Sequence, residues 1–171
     1  MNGELLEVQV ACFRLGGDLY AIDIMRIKEI IRPLKLTSLP KFPAFMEGIV
    51  NLRGTVIPVV DLRKRFDLEE REDGPGTRLL IVSLLGQALA LVVDEVTEVV
   101  TVPVKDIKPP PHLGNGIDAV YLIGVCLVKE EMIMLLNIDR LLSIQEASEL
   151  GKMKERLVEP QQKEVSPAPI G

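Results

Sequence analysis

The sequence predicts a mainly β protein in which one hairpin design is used twice, followed by a C-terminal helix. Three observations carry this. In Gly48 to Phe66, two runs of mostly β-branched aliphatics flank Asn51-Leu52-Arg53-Gly54, which reads as strand, tight turn and strand, with Leu62 to Phe66 opening a helical turn. The pattern returns in Gly124 to Leu142, where Gly124 answers Gly48, Lys129 answers Arg53, Ile133 answers Ile57 and Asn137 answers Asp61, all at a shift of 76 residues. The earlier stretch Gly16 to Ile31 is answered by Leu85 to Val100 at a shift of 69 residues.

Taken in order, Leu5 to Leu15 is nearly continuous in apolar residues, as expected of a strand covered on both faces. Gly16-Gly17 turns the chain, and Leu19 to Ile22 forms the partner strand. Asp23 can cap a helical turn, because Ile24, Ile27 and Ile31 recur at helical spacing. The repeat argues otherwise for most of this stretch: its counterpart after Asp94 is Val-Thr-Glu-Val-Val-Thr-Val, a strand composition of period two. Ile27 to Ile31 is therefore expected to be extended after at most one helical turn.

A first unit thus spans about residues 7–66 and a second about 77–142, each with hairpin, extended segment, proline-bearing connector and hairpin. Asp67 to Gly76, Glu-rich and ending Gly74-Pro75-Gly76, reads as an exposed separator. Many short strands in so short a unit favour a small closed barrel, because closure removes exposed edges. Beyond Leu142, Ser143 is a cap for a helix with a weak apolar stripe at Ala147, Leu150, Met153 and Leu157 (residues 143–157). From Val158 to Gly171 the prolines among polar residues predict a disordered tail.

Composition narrows the function. A net charge of −5 with four Phe, two Tyr and no Trp argues against nucleic acid, which calls for a basic face and stacking aromatics. No uninterrupted apolar run suits membrane insertion and no leader peptide is visible, so the reading is a cytoplasmic protein. Cys12 and Cys126 sit inside apolar runs and read as small hydrophobes. A catalytic inventory is almost absent: His112 is the only histidine and lies in a proline-rich loop, no phosphate-cradling glycine signature occurs, and no metal-ligand spacing appears. Asp61 and Asp94 close strands, where capping the next turn is the expected role. These features predict a binding module, not an enzyme, with neither metal nor cofactor.

The residues also carry a resemblance. Phe13-Arg14-Leu15-Gly16-Gly17, Tyr20-Ala21-Ile22-Asp23-Ile24, Leu39-Pro40 with Pro43-Ala44-Phe45, Gly48 to Gly54 and Ile57 to Arg63 resemble the CheW family of chemotaxis coupling proteins. Val92 to Val99 and Leu135 to Leu142 extend the match to about Val8–Leu142. The resemblance implies a CheW-like fold of two tandem five-stranded SH3-like β-barrels with short helices and a C-terminal helix. It implies an adaptor between the cytoplasmic tips of chemoreceptors (methyl-accepting chemotaxis receptors) and a CheA-type histidine kinase, a monomer outside the array and recruited to receptor clusters at the inner membrane. An alternative within the class is a CheW-like scaffold of a non-flagellar chemosensory array. From a different class, a small-barrel enzyme or ligand-binding domain would require a polar pocket that the histidine and carboxylate inventory does not supply.

Carried over residue by residue, the family's receptor-facing positions fall on Ile27, Glu29, Gly48, Arg53, Val96, Val99 and Gly124. Several are equivalent points of the two repeats, which places the receptor near a pseudo-two-fold axis. Glu29 and Arg53 also invite a purely intramolecular reading, a salt bridge tying the extended segment to the hairpin turn. The kinase-facing loops of the family fall on Leu15, Gly16, Asp18, Leu34 and Leu36.

Overall fold

A computed structural model describes residues 6–69, 72–110 and 118–165, and of residues 154 and 156–165 the backbone only. His112 and the last residues of the tail, 166–171, lie outside the described residues. The strands are β1 (Glu7–Leu15), β2 (Asp18–Asp23), β3 (Ile27–Ile31), β4 (Gly48–Leu52), β5 (Thr55–Asp61), β6 (Arg78–Leu84), β7 (Gln87–Val93), β8 (Glu95–Pro103), β9 (Leu122–Val128) and β10 (Glu131–Leu136). Ile24–Arg26 makes one 3₁₀ turn capped by Asp23, and Ile27 then enters a strand, as the repeat required. The helical turn α1 (Leu62–Arg65) is capped by Asp61. No such turn follows Asp94: β8 begins at Glu95, and the Asp94 carboxylate instead accepts from the Gly16 N–H at 2.8 Å and pairs with Arg63 at 3.3 Å.

Two five-stranded sheets form, in the orders β8-β1-β2-β10-β9 and β3-β6-β7-β5-β4. Moving five strands along the chain converts one order into the other. The registers agree residue by residue. Cys12 faces Ala21 as Ile81 faces Ala90, Phe13 faces Val96 as Val82 faces Ile27, and Gly124 faces Leu135 as Gly48 faces Val59. A strand irregularity recurs too, beside Ala11 and Phe13 in one sheet and between Ile27 and Glu29 in the other.

The barrels do not coincide with the repeat units, which corrects the expectation of one barrel per unit. Each barrel takes its first hairpin from one repeat and its other three strands from the other, through the parallel pairings of β2 with β10 and β7 with β5. Each is closed by one further bridge from the chain leaving its edge strand, Thr37 to Ile49 and Lys108 to Val125.

This exchange explains why the first hairpin of each repeat is apolar on both faces. Val10, Cys12, Leu19 and Ala21 point into one barrel, and Leu79, Ile81 and Ala90 into the other. The alternate residues, Ala11, Phe13, Leu15, Tyr20 and Ile22 with Leu80, Val82, Leu84, Leu89 and Leu91, are as deeply buried and form a shared core between the barrels. Aromatic contacts run along this seam from Phe13 to Tyr20, Phe66 and Tyr121, with centroids 6.1, 6.0 and 5.1 Å apart. Arg65 lies between Phe45 and Tyr121, themselves equivalent residues of the two repeats, at 5.9 and 5.7 Å from their ring centroids.

From Leu142 the chain forms a separate unit. Ser143 Oγ accepts from the Glu146 N–H at 3.1 Å while Glu146 Oε1 accepts from the Ser143 N–H at 2.8 Å, a capping box. Helix α2 (Ile144–Val165) continues past Leu157, where the sequence reading ended it. The Glu, Gln and Lys residues around Pro160 are strong helix formers.

Candidate receptor- and kinase-facing surfaces

The hairpin tips set the site geometry. Leu52 pairs with Thr55 and Val128 with Glu131, which leaves Arg53-Gly54 and Lys129-Glu130 as two-residue loops with positive φ throughout, at 51°, 89°, 50° and 67°. This is the type I′ signature, whose twist matches that of the flanking strands. Asn51 Oδ1 accepts from the Gly54 N–H at 2.8 Å and locks the first loop.

The loop projects Arg53 toward β3, where Nη2 donates to Glu29 Oε2 at 2.6 Å; the arginine side chain is 69% exposed and the glutamate 35%. The intramolecular reading of this pair therefore holds, and much of the guanidinium remains available to a partner. Its two-fold counterpart is present: Lys129 Nζ lies 3.6 Å from Glu98 Oε2.

The aliphatic positions fall where the shared core meets solvent. Ile27 and Val96 face Val82 and Phe13 across the sheet and are half-buried. Val99, opposite Ala11, is 57% exposed, and its equivalent Ile30, opposite Leu80, is 42% exposed. Ile30 is not among the positions expected to face a receptor. The repeat could have found it, because Ile30 stands to Val99 as Ile27 stands to Val96. The same logic would have found Glu98 and Lys129.

Gly48 and Gly124 are buried, and the structure gives both a steric reason. A Cβ on Gly48 would stand 2.5 Å from the Thr37 carbonyl oxygen, and one on Gly124 would stand 2.5 Å from that of Lys108. These carbonyls belong to the bridges that close the barrels. The missing side chains make room for closure, so a side chain at Gly48 would displace the bridge that closes its barrel.

Of the positions expected to face a kinase, Leu15 is fully buried. Strand alternation puts it on the face of Ala11 and Phe13, so its side chain belongs to the shared core, which removes it as a direct contact. Gly16 and Asp18 are exposed at the β1–β2 tip. Leu34 and Leu36, 37% and 42% exposed, stand at a cavity of about 410 Å³ that opens into the second barrel over Val50, Val59 and Leu79. Arg63 joins the two places. Its side chain is only 4% exposed, lines that cavity, and pairs with Asp61 at 3.1 Å and with Asp94, which in turn holds the Gly16 N–H. Burial works against its charge, but the hydrogen bonds to Asp61 and the charges of Asp61, Asp94 and Asp73 outweigh it, and its pKa is raised.

The chemistry elsewhere is quiet. Burial, reinforced by the charge of Glu98, pushes the Cys12 thiol up to about 11, and burial also raises Cys126, so neither is a ready nucleophile. Among the described residues no group of three or more His, Cys, Asp or Glu could hold a metal ion, and no helix is long and apolar enough to cross a membrane.

Residues 9–146 match the model of the CheW-like domain family. The chain is 34% identical over 151 residues to the chemotaxis protein CheW of Treponema pallidum, covering 86% of this chain and 89% of that protein. It is 36% identical over 138 residues to protein FrzA of Myxococcus xanthus, covering 80% and 86%. The crystal structure of the scaffolding protein TtCheW from Thermoanaerobacter tengcongensis superposes with a TM-score of 0.75 at 35% identity, covering 82% of this chain and 91% of that one.

Proposed function

The chain belongs to the CheW-like domain family, and from that membership we propose that it is a non-enzymatic adaptor in chemotaxis signalling, coupling the cytoplasmic tips of chemoreceptors to a CheA-type histidine kinase. It works in the cytoplasm and is recruited to receptor clusters at the inner membrane. The observation that carries the receptor half of this reading is the pair of equivalent margins on the edge strands β3 and β8. Each presents aliphatic residues to solvent beside an ion pair: Ile27 and Ile30 with Glu29–Arg53, and Val96 and Val99 with Glu98–Lys129. A helical partner is read through a few such aliphatic anchors, with charged neighbours fixing its register.

The kinase half rests on the end of the second barrel, where Leu34 and Leu36 rim a cavity with apolar residues Val50, Val59 and Leu79 and charged residues such as Asp61 and Arg63 in its lining, and the Arg63–Asp94 link holds the Gly16–Asp18 tip. An aliphatic or aromatic side chain of the kinase can rest against the apolar part of this lining as an anchor.

Purified chain, the CheA homologue from the same genome and membranes carrying a receptor test this directly. Co-sedimentation of the kinase should depend on the adaptor, and Arg53→Ala should reduce assembly much more than it lowers the melting temperature. Arg53→Lys should rescue poorly, because lysine keeps the charge but loses the planar fork. Kinase recruitment that is independent of the adaptor would refute the reading. If the double swap Glu29→Arg with Arg53→Glu restores both stability and assembly, the pair is scaffolding and Arg53 is not a contact.

A further inference from the structure

The second ion pair is a stabilising device of little consequence to the fold. Lys129 and Glu98 stand 3.6 Å apart, beyond hydrogen-bond distance, with side chains 77% and 49% exposed. Exposed pairs of this kind contribute little to stability. Lys129 is also held at φ 50°, in a turn that favours Asn or Gly there, so neither the turn nor the pair calls for a long cation. Of the carboxylates at this turn, Glu130 follows Lys129 in the loop itself and Glu131 is committed to Arg14 at 2.8 Å.

The surroundings do point to a partner. Glu98 lies between Val96 and Val99 on the open edge of β8, and Lys129 crowns the hairpin that begins near Gly124. The arrangement reproduces that of Glu29 and Arg53 strand for strand, through the same register and the same kind of loop.

We propose that Glu98 and Lys129 form a second receptor-reading pair, by which this chain discriminates among receptor tips according to the charge their helices present beside the aliphatic contact. The inference rests on the adaptor reading. Its partner is a chemoreceptor helical hairpin, the same class that meets Arg53. The two pairs divide the work by their chemistry. Arg53 is held by a short hydrogen bond and offers a planar fork, which suits a fixed contact. Lys129 is a mobile point charge already loosely held, so it can exchange Glu98 for a carboxylate of the partner at little cost and acts through salt-sensitive attraction.

The test uses the full chain and a helical-hairpin fragment of a chemoreceptor tip from the same genome, with dissociation constants from fluorescence anisotropy at about 50 mM and about 300 mM salt. Lys129→Glu is expected to weaken binding about two- to fivefold at the lower salt, with the loss shrinking at the higher. The double swap Glu98→Lys with Lys129→Glu should restore no binding, and every variant should melt with the wild type. Lys129→Glu binding as tightly as the wild type, while Arg53→Glu loses affinity, would overturn the proposal and leave the adaptor reading standing. So would a double swap that regains wild-type affinity, since the pair would then serve only itself. A wild-type chain that fails to bind the fragment at all overturns the adaptor reading and this inference together.

Discussion

Gly124→Ala is the substitution whose consequence can be worked most directly from the geometry. The added Cβ would stand 2.5 Å from the Lys108 carbonyl oxygen and 2.8 Å from Ile107 Cγ2, and ordinary contact begins at 3.4 Å. The carbonyl must therefore retreat by about 1 Å, because Gly124 lies inside a paired strand and cannot itself give way. That carbonyl accepts from the Val125 N–H at 2.8 Å, and the Lys108 N–H donates to the Val125 carbonyl at 2.8 Å. Losing both bonds costs about 2 kcal/mol, and forcing the extra methyl into a filled site adds about 1–2 kcal/mol. For a chain of this size a total of about 3–4 kcal/mol lowers the melting temperature by roughly 6–16 °C. Thermal and urea unfolding measure the loss, and amide exchange at Val125 shows whether the closing bridge has opened. Gly48→Ala should cost more, since its Cβ meets Thr37 at 2.5 Å and its φ of +154° adds backbone strain that Gly124 lacks. Gly124→Ala melting within about 1 °C of the wild type, with the Val125 amide still protected, would refute the steric account of closure.

Arg63→Ala should destabilise by about 3–5 kcal/mol, because it strands the carboxylates of Asp61 and Asp94, 11% and 15% exposed, and an unfolding free energy from urea titration lowered by less than about 1 kcal/mol would contradict this. Ile27→Ala and Val96→Ala should each cost about 1–3 kcal/mol of receptor-tip binding if they are central anchors, and calorimetry showing wild-type affinity for either removes that strand from the interface. The Arg26 hydrogen bond holds Asp139 below its ordinary pKa, and the Arg14 hydrogen bond does the same for Glu131. A lowered folded-state pKa means stability that is whole above the unfolded carboxylate value and lost as pH falls through the folded one. Urea midpoints between about pH 5 and pH 2 should therefore decline, and Asp139→Asn should flatten that decline. An acid limb unchanged in the variant would show that the pair does not contribute.

Much of this protein was legible locally. The two-residue loop at Arg53-Gly54, the cap at Asp61, the single turn after Asp23, the capping box at Ser143 and the two repeat shifts are all written in short-range chemistry. The Glu29–Arg53 pair joins residues distant in the chain, and its reading came from the family's receptor-facing positions, on which both fall. Leu15 was misplaced because its neighbours make a turn, and turns suggest exposure, whereas strand alternation carries it into the core.

By itself the sequence determined the set of strands, their turns, their two-fold repetition and the family, because each depends on residues close together in the chain or on a pattern preserved along it. The tertiary structure alone decided which hairpin completes which barrel. A hairpin apolar on both faces is equally satisfied by its own repeat or by the other, and only the parallel pairings of β2 with β10 and β7 with β5 select between them. The structure alone also decided what Gly48 and Gly124 are for, since the carbonyls that forbid a side chain there come from Thr37 and Lys108, on segments whose approach no local pattern encodes. Which Asp would cap a helical turn and which would hold the β1–β2 tip was likewise settled by distant chain: Asp61 and Asp94 both close strands and both pair with Arg63, but only Asp94 has the β1–β2 tip lying against it.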